Sequence, residues 1–382
     1  LVGIRAANWL SRVPLPAFRS LRIRIKVGTA KWRRLRAQCA SAEPRPLADV
    51  APAAPAAILF TSGSTGAPKG VDYTHAMFDA QIELIRRTFA LQPGEVDMPM
   101  LPLFALFNPA LRVTTVTPLL DPSRPAAADP APIVAALLAE KVTTSFGSPA
   151  IWGKLADHCE RRGLGLPALR RVLIAGAPVP DGLLEQLRRI APQAQVHTPY
   201  GATECLPVST IAAGELLANH RETSRRGEGT CVGRAVDGVA IKVIREVDGP
   251  IRTLAEATPC APGEIGEIIA TGPSVTRAYH RLPEATAAAK IADGERVWHR
   301  MGDLGTLEAD GLLRFLGRRA ERVRAPGGDL PTEAVEPAFR AHPDVARCAL
   351  IGLGTKAPFL PALVVEPREG RFPGNGGERE RF

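Results

Sequence analysis

The decisive stretch reads Phe60-Thr61-Ser62-Gly63-Ser64-Thr65-Gly66-Ala67-Pro68-Lys69-Gly70. The apolar run leading into it, Ala56-Ala57-Ile58-Leu59-Phe60, predicts a short buried strand. Ten residues follow with three glycines, four hydroxyls, one proline and one lysine. Glycine lets backbone N–H groups crowd around an anion, because no Cβ blocks the approach. Successive N–H groups in such a loop form an anion-binding concavity, and Lys69 adds a mobile positive charge suited to phosphate. The common ATPase loop ends in Gly-Lys-Ser/Thr. Here Pro68 precedes Lys69 and Val71 follows Gly70, so this is a phosphate loop of another kind.

Outward from the loop, His75 to Ala90 carries apolar residues at helical spacing (Met77, Ile82, Ile85, Phe89), which predicts strand, loop, helix. Met98 to Leu111 is apolar and punctuated by proline, the composition of core or of an apolar pocket wall. Helices are expected at 133–141 and after Ser148-Pro149, with Ser148 as N-cap and Pro149 in the first turn. Strands are expected at 143–146, 170–175 and 195–198, with a helix at 181–190 between the last two. This alternation predicts parallel βαβ units, in which ligands sit beyond the carboxyl ends of the strands. Three loops would then share one crevice: the phosphate loop, Gly176-Ala177-Pro178-Val179-Pro180, and Tyr200-Gly201-Ala202-Thr203-Glu204. Glu204 suits Mg²⁺, which needs only one or two carboxylates beside phosphate oxygens. Tyr200 offers a flat face for a purine, and Asp303 can accept from vicinal ribose hydroxyls.

At 382 residues the chain can hold more than one domain. No apolar run reaches the roughly 18 residues of a membrane span. The six cysteines are scattered without a Cys-x-x-Cys pair. That argues against a structural zinc site or a secreted disulfide scaffold, and for a cytoplasmic protein. Ten of the 48 basic residues lie in residues 1–36, which hold no acid; the remaining 38 face 39 acids. The excess is therefore local. Trp9, Phe18 and Trp32 are too widely spaced for base stacking, so a solvated face or a partner-docking surface is expected rather than nucleic acid.

Together these spans, over about residues 55–345, resemble the successive motifs of the adenylate-forming superfamily. The resemblance implies an α/β fold: parallel βαβ sheets in a large domain at 1–316, with a small β subdomain from about 230, and an incomplete α+β lid at 317–366. A disordered tail is expected at 367–382, and the chain reads as cut from a longer one at both ends. The resemblance implies ATP and Mg²⁺. Phosphate contacts fall to Thr61, Ser62, Gly63, Ser64, Thr65, Lys69 and Thr203, adenine contacts to Gly176, Ala177, Pro178 and Tyr200, and further cofactor contacts to Gly66 and Gly201. Ribose contacts fall to Asp303 and Arg318, the metal to Glu204 with Thr65, and the catalytic roles to Lys69, Thr203 and Glu204.

The departures from the common pattern are Pro102-Leu103-Phe104-Ala105, Ala320 at the hinge, and Val323-Arg324-Ala325-Pro326-Gly327-Gly328-Asp329-Leu330. They are similar to the olefin β-lactone synthetase branch. That branch implies a long-chain 2-alkyl-3-hydroxy acid as substrate, activated to acyl-AMP and closed by its own hydroxyl. It also implies assembly with other olefin-pathway enzymes, for which 1–36 is the expected docking surface. A fatty-acyl-CoA or acyl-AMP ligase, and an inactive nucleotide-binding remnant acting as a docking protein, are the alternatives. His75 and His197 are candidates by residue type for the base that takes the hydroxyl proton.

Overall fold

The computed structural model describes residues 2–43, 48–61, 67–121 and 124–368. It divides into two units, Leu1–Ala51 and Pro52–Phe382. The first contains helices Arg5–Leu10 and Ala30–Ala40 and the paired two-residue strands Val2–Gly3 and Ile25–Lys26. Thr29 caps the second helix by accepting from the Trp32 N–H. Arg5, Arg12, Lys31, Arg33, Arg34 and Arg36 are all exposed.

The second unit is a mixed α/β fold built on a twelve-stranded sheet. One half is parallel, in the order Thr114–Thr115, Val96–Pro99, Thr144–Gly147, Arg171–Ile174, Gln195–Ala202. The helices expected between these strands form. Ser148 accepts from the Ile151 N–H at the start of Pro149–Arg162, and Asp129 accepts from Ala131 N–H at the start of Pro130–Ala139. Helix Asp181–Ile190 buries Leu183, Leu184, Leu187 and Ile190 at helical spacing. These helices pack with Trp152, Leu155, Val172 and Ile174 in one core. The alternate residues Phe146 and Leu173 join Ile85 and Phe89 in a second core, as strand periodicity requires. A fully buried leucine such as Leu184 or Leu187 contributes about 1.5–3 kcal/mol.

The chain then turns antiparallel. Strand Cys205–Ala212 pairs back onto Gln195–Ala202, and Thr230–Ala235, Leu313–Arg318, Arg296–Leu307, Gly266–Thr271 and Ala240–Ile244 follow across the sheet. The β strands expected from about 230 are therefore present, but they hydrogen-bond into the same sheet as the βαβ units. The join depends on Gly233. Its φ is +82°, and a Cβ there would lie 1.9 Å from the Thr210 carbonyl oxygen.

Two local expectations are corrected. Pro55–Phe60 is half of a two-stranded hairpin with Gly70–Thr74, and is not a buried strand of the main sheet. Only one face of a hairpin is covered, so Leu59 packs inward while Ile58 and Phe60 are 43% and 69% exposed. The 61–69 segment, expected to bind phosphate, thus joins strand to strand, and helix His75–Thr88 starts directly after the second strand, capped by Thr74. The 195 strand runs on through Tyr200 to Ala202, because Cys205–Ala212 supplies it with an antiparallel partner. Only the tight turn at Thr203 and Glu204 remains of the expected loop.

Beyond residue 317, the hairpin Val323–Ala325/Gly328–Leu330 and helix Thr332–Arg340 precede the paired strands Val345–Leu353 and Leu360–Pro367. The helix is tied to the sheet by a 2.6 Å bond from the Thr230 hydroxyl to Glu333. Pro367, where the tail is expected to begin, lies on a strand; residues 369–382 lie outside the described residues.

Candidate active site

A cavity of about 800 Å³ opens where the loop hairpin, the ends of the parallel strands and the 296–307 strand meet. Thr61, Lys69, Gly176, Gly201, Thr203, Glu204 and Arg318 line it, so seven expected site residues from four chain segments share one wall. The base of the loop is pinned by two bonds. Thr61 N–H donates to the Lys69 carbonyl (3.0 Å), and Lys69 N–H donates to Thr61 Oγ1 (3.3 Å). Ser62, Gly63, Ser64, Thr65 and Gly66 lie outside the described residues.

Glu204 is 8% exposed and its Oε1 accepts a 2.6 Å bond from the Tyr279 hydroxyl. The Tyr279 ring lies under Lys69 Nζ, 5.1 Å from the ring centroid, with Lys290 Nζ at 6.0 Å. Burial holds Lys290 down to about 8, against the pull of Glu204. The Thr203 carbonyl accepts from the Tyr73 hydroxyl, which fixes the turn that presents Glu204.

Ala177, Pro178, Tyr200 and Asp303 do not line the cavity. The Tyr200 hydroxyl donates to Asp303 Oδ2 (2.6 Å), and its ring sits 5.9 Å from Phe315. Asp303 Oδ1 accepts from Arg318 (2.9 Å). Burial pushes the Asp303 carboxyl up to about 6, opposed by the Arg318 charge. This pair holds Arg318, which does reach the wall. Arg300 is spent structurally: it donates to Glu267 and to the carbonyls of Val247, Gly249 and Ala288.

Neither His75 nor His197 lines the cavity. His197 lies edge-on to Phe89, 5.5 Å between ring centroids, and burial lowers its pKa. The histidine in the wall is His299, which, like Tyr279, the sequence reading passed over. On that strand only Asp303 carries a sequence signal, for the ribose, and nothing in a strand's alternation marks which residue faces a cavity.

A second, apolar cavity of about 50 Å³ adjoins the first. Phe104, Phe107, Phe146 and Leu206 line both. Phe104, Phe107 and Leu111 from the proline-punctuated segment form its wall, as the pocket reading expects, while Met98 and Met100 are core. Its floor is polar: Asp97 Oδ2 accepts from Asn108 Nδ2 (2.8 Å), and Oδ1 has no partner among the described residues.

The described residues contain no group of three or more His, Cys, Asp or Glu that could hold a metal. The donor set fits Mg²⁺ nonetheless, because that ion keeps several waters and takes one or two carboxylates together with substrate phosphates. Glu204, with one carboxylate oxygen bonded to Tyr279, is such a carboxylate.

The model of the family described as AMP-binding enzyme matches residues 12–280. The olefin beta-lactone synthetase of Xanthomonas campestris pv. campestris is 48% identical over 330 residues, covering 85% of this chain and 58% of that protein. The olefin beta-lactone synthetase of Stenotrophomonas maltophilia is 48% identical over 83% of this chain and 57% of its own length. The chain thus spans a little over half the length of these curated relatives. In fold it is similar to O-succinylbenzoate coenzyme A synthetase of Bacillus subtilis, solved in complex with ATP and magnesium ion. The TM-score is 0.72 at 21% identity, covering 98% of this chain and 70% of that one.

Proposed function

The chain belongs to the AMP-binding enzyme family, and from that premise we propose that it activates the carboxylate of a long-chain 2-alkyl-3-hydroxy acid with ATP. The products of the first step are acyl-AMP and pyrophosphate. The substrate's own 3-hydroxyl then attacks the acyl carbon, AMP leaves, and a β-lactone closes. The observation that carries this reading is the joining of the two cavities: the wall that holds Lys69, Thr203 and Glu204, the residues expected at the phosphates, meets an apolar branch through shared phenylalanines.

In this reading Lys69 and the loop N–H groups bind the triphosphate and offset charge as the α-phosphate is attacked. Glu204, oriented by Tyr279, would hold Mg²⁺ with Thr65, and the metal would neutralise phosphate charge there. Arg318, steadied by Asp303 and Tyr200, faces the ribose, and Gly176 and Gly201 border the adenine. Thr203 contacts phosphate. The nucleophile is already on the substrate, so the second step is unimolecular and gains the effective molarity of an intramolecular reaction. Ala320 at the hinge accords with that, because no second substrate must be admitted. The exposed arginines of residues 1–36 would dock partner enzymes of the same route through acidic surfaces. No helix among the described residues is long and apolar enough to cross a membrane, and a cytoplasmic location belongs to the same proposal.

The test is mass spectrometry of two reactions with ATP and Mg²⁺. A 2-alkyl-3-hydroxy acid is expected to yield a β-lactone without coenzyme A. Efficient thioester formation from a plain fatty acid and coenzyme A, with no lactone from the hydroxy acid, would instead establish an acyl-CoA ligase.

A further inference from the structure

We infer that His299 is the base that accepts the proton of the substrate's 3-hydroxyl during ring closure, an assignment that rests on the proposed function. The geometry comes first. His299 lies on the strand Arg296–Leu307, is 3% exposed, and forms part of the large cavity's wall. Its Nδ1 is 3.2 Å from the Ala289 carbonyl oxygen. A carbonyl only accepts, so Nδ1 carries the hydrogen and the neutral ring keeps its lone pair on Nε2. Nε2 has no hydrogen-bond partner among the described residues.

The surroundings select what this lone pair can meet. Burial, with Lys290, Lys69 and Arg318 nearby, holds the ring neutral by lowering its pKa well below that of free histidine. The wall carries the cations Lys69, Arg318 and Arg319 beside the carboxylates of Glu204, Asp248 and Glu267. A phosphate oxygen or a carboxylate brings only acceptors, and an imidazole lone pair repels both. A hydroxyl fits opposite Nε2. The ribose of ATP also brings hydroxyls, but only the substrate's, two carbons from the carbonyl to be attacked, loses its proton in ring closure. The other basic side chains are less well placed. His75 and His197 lie off the wall, and Lys290 Nζ donates to Thr276 Oγ1 at 3.1 Å.

The 3-oxygen forms its bond to the acyl carbon, and the acyl–oxygen–phosphorus link breaks at the acyl carbon, its electron pair leaving with AMP. The hydroxyl proton passes to Nε2. The negative phosphate offsets the imidazolium among the three cations, and the departing AMP carries the proton away.

Two substitutions separate the ring's nitrogens. In His299→Asn the amide still donates toward the Ala289 carbonyl, while the acceptor at the Nε2 position is gone. In His299→Gln the longer amide places an oxygen acceptor near Nε2 that has no basicity. The full chain is given a 2-alkyl-3-hydroxy acid with ATP and Mg²⁺, and lactone formed per pyrophosphate released is measured. General-base catalysis contributes about 10²–10⁴-fold, so this ratio is expected to fall by about 10² or more in His299→Asn and by at least about tenfold in His299→Gln. The unclosed hydroxy acid should be recovered in both. An unchanged ratio in His299→Asn, or wild-type lactone yield from His299→Gln, overturns the assignment while leaving the proposed function standing. Equal loss of pyrophosphate release with plain and hydroxy acids also overturns it, since His299 would then serve nucleotide binding. Wild-type chain that releases pyrophosphate but never forms lactone overturns the proposed function itself, and this assignment with it.

Discussion

The Tyr279 hydroxyl donates to Glu204 Oε1 at 2.6 Å, across 75 residues of chain, while its ring lies 5.1 Å from Lys69 Nζ. One tyrosine therefore touches both the lysine of the loop and the carboxylate of the turn. Hydrogen bonds to charged groups contribute about 1.5–3 kcal/mol. Tyr279→Phe is expected to lower pyrophosphate release about tenfold and to raise the Mg²⁺ concentration for half-maximal rate. A Mg²⁺ titration of both proteins checks this, and superimposable curves would leave Tyr279 a packing residue.

Lys69→Ala and Glu204→Ala remove the two charges directly. Each is expected to lower pyrophosphate release by about 10²–10³-fold, the size of effect seen when one electrostatic stabiliser is lost from a buried site. Wild-type rates in both would refute the phosphate site.

Asp97 gives a pH signature. It is 7% exposed, and burial pushes its carboxyl up to about 7, with the Asn108 hydrogen bond opposing and Glu95 adding to the rise. A carboxyl raised on folding binds its proton more tightly in the native state. Stability is then greatest below the unfolded value of about 3.9 and falls as pH rises toward 7. Asp97→Asn keeps the shape and removes the ionisation. Its gain in stability should be near zero at pH 4, grow with pH, and level off above about pH 7 at no more than about 4 kcal/mol. Denaturant titrations at pH 4, 6 and 8 would show this, and a pH-independent difference would refute it.

At Gly233, alanine would meet both a positive φ and the Thr210 carbonyl. Gly233→Ala is expected to cost more than about 3 kcal/mol, because the strand must shift away from its partner. Chemical denaturation measures it; a change under about 1 kcal/mol would mean the seam yields easily.

The apolar branch is the expected home of the alkyl chain. Each buried CH₂ contributes about 0.8 kcal/mol, so affinity should climb steadily from C8 to C14 acids. As the branch holds only about 50 Å³, the climb requires Phe104 and Phe107 to move. A flat series would seat the chain elsewhere.

What is local was readable along the chain. Helix Asp181–Ile190 was legible residue for residue, because its leucines repeat at helical spacing between prolines and a following strand. Ser148 and Pro149 announced a helix start, and the alternating strands and helices from 130 to 202 announced a parallel sheet. The glycine, hydroxyl and lysine order of 61–70 is the signal on which the proposed phosphate loop rests. Which strands pair and which side chains meet was set by the folded chain. An apolar run such as 56–60 reads alike whether one face or both are covered, so its exposed Ile58 and Phe60 were invisible. Nothing local shows that Cys205–Ala212 bridges the parallel and antiparallel halves of one sheet, or that Tyr279 meets Glu204 and His299 meets the cavity. Those relationships join residues tens of positions apart, and spacing along a chain carries no signal at that range.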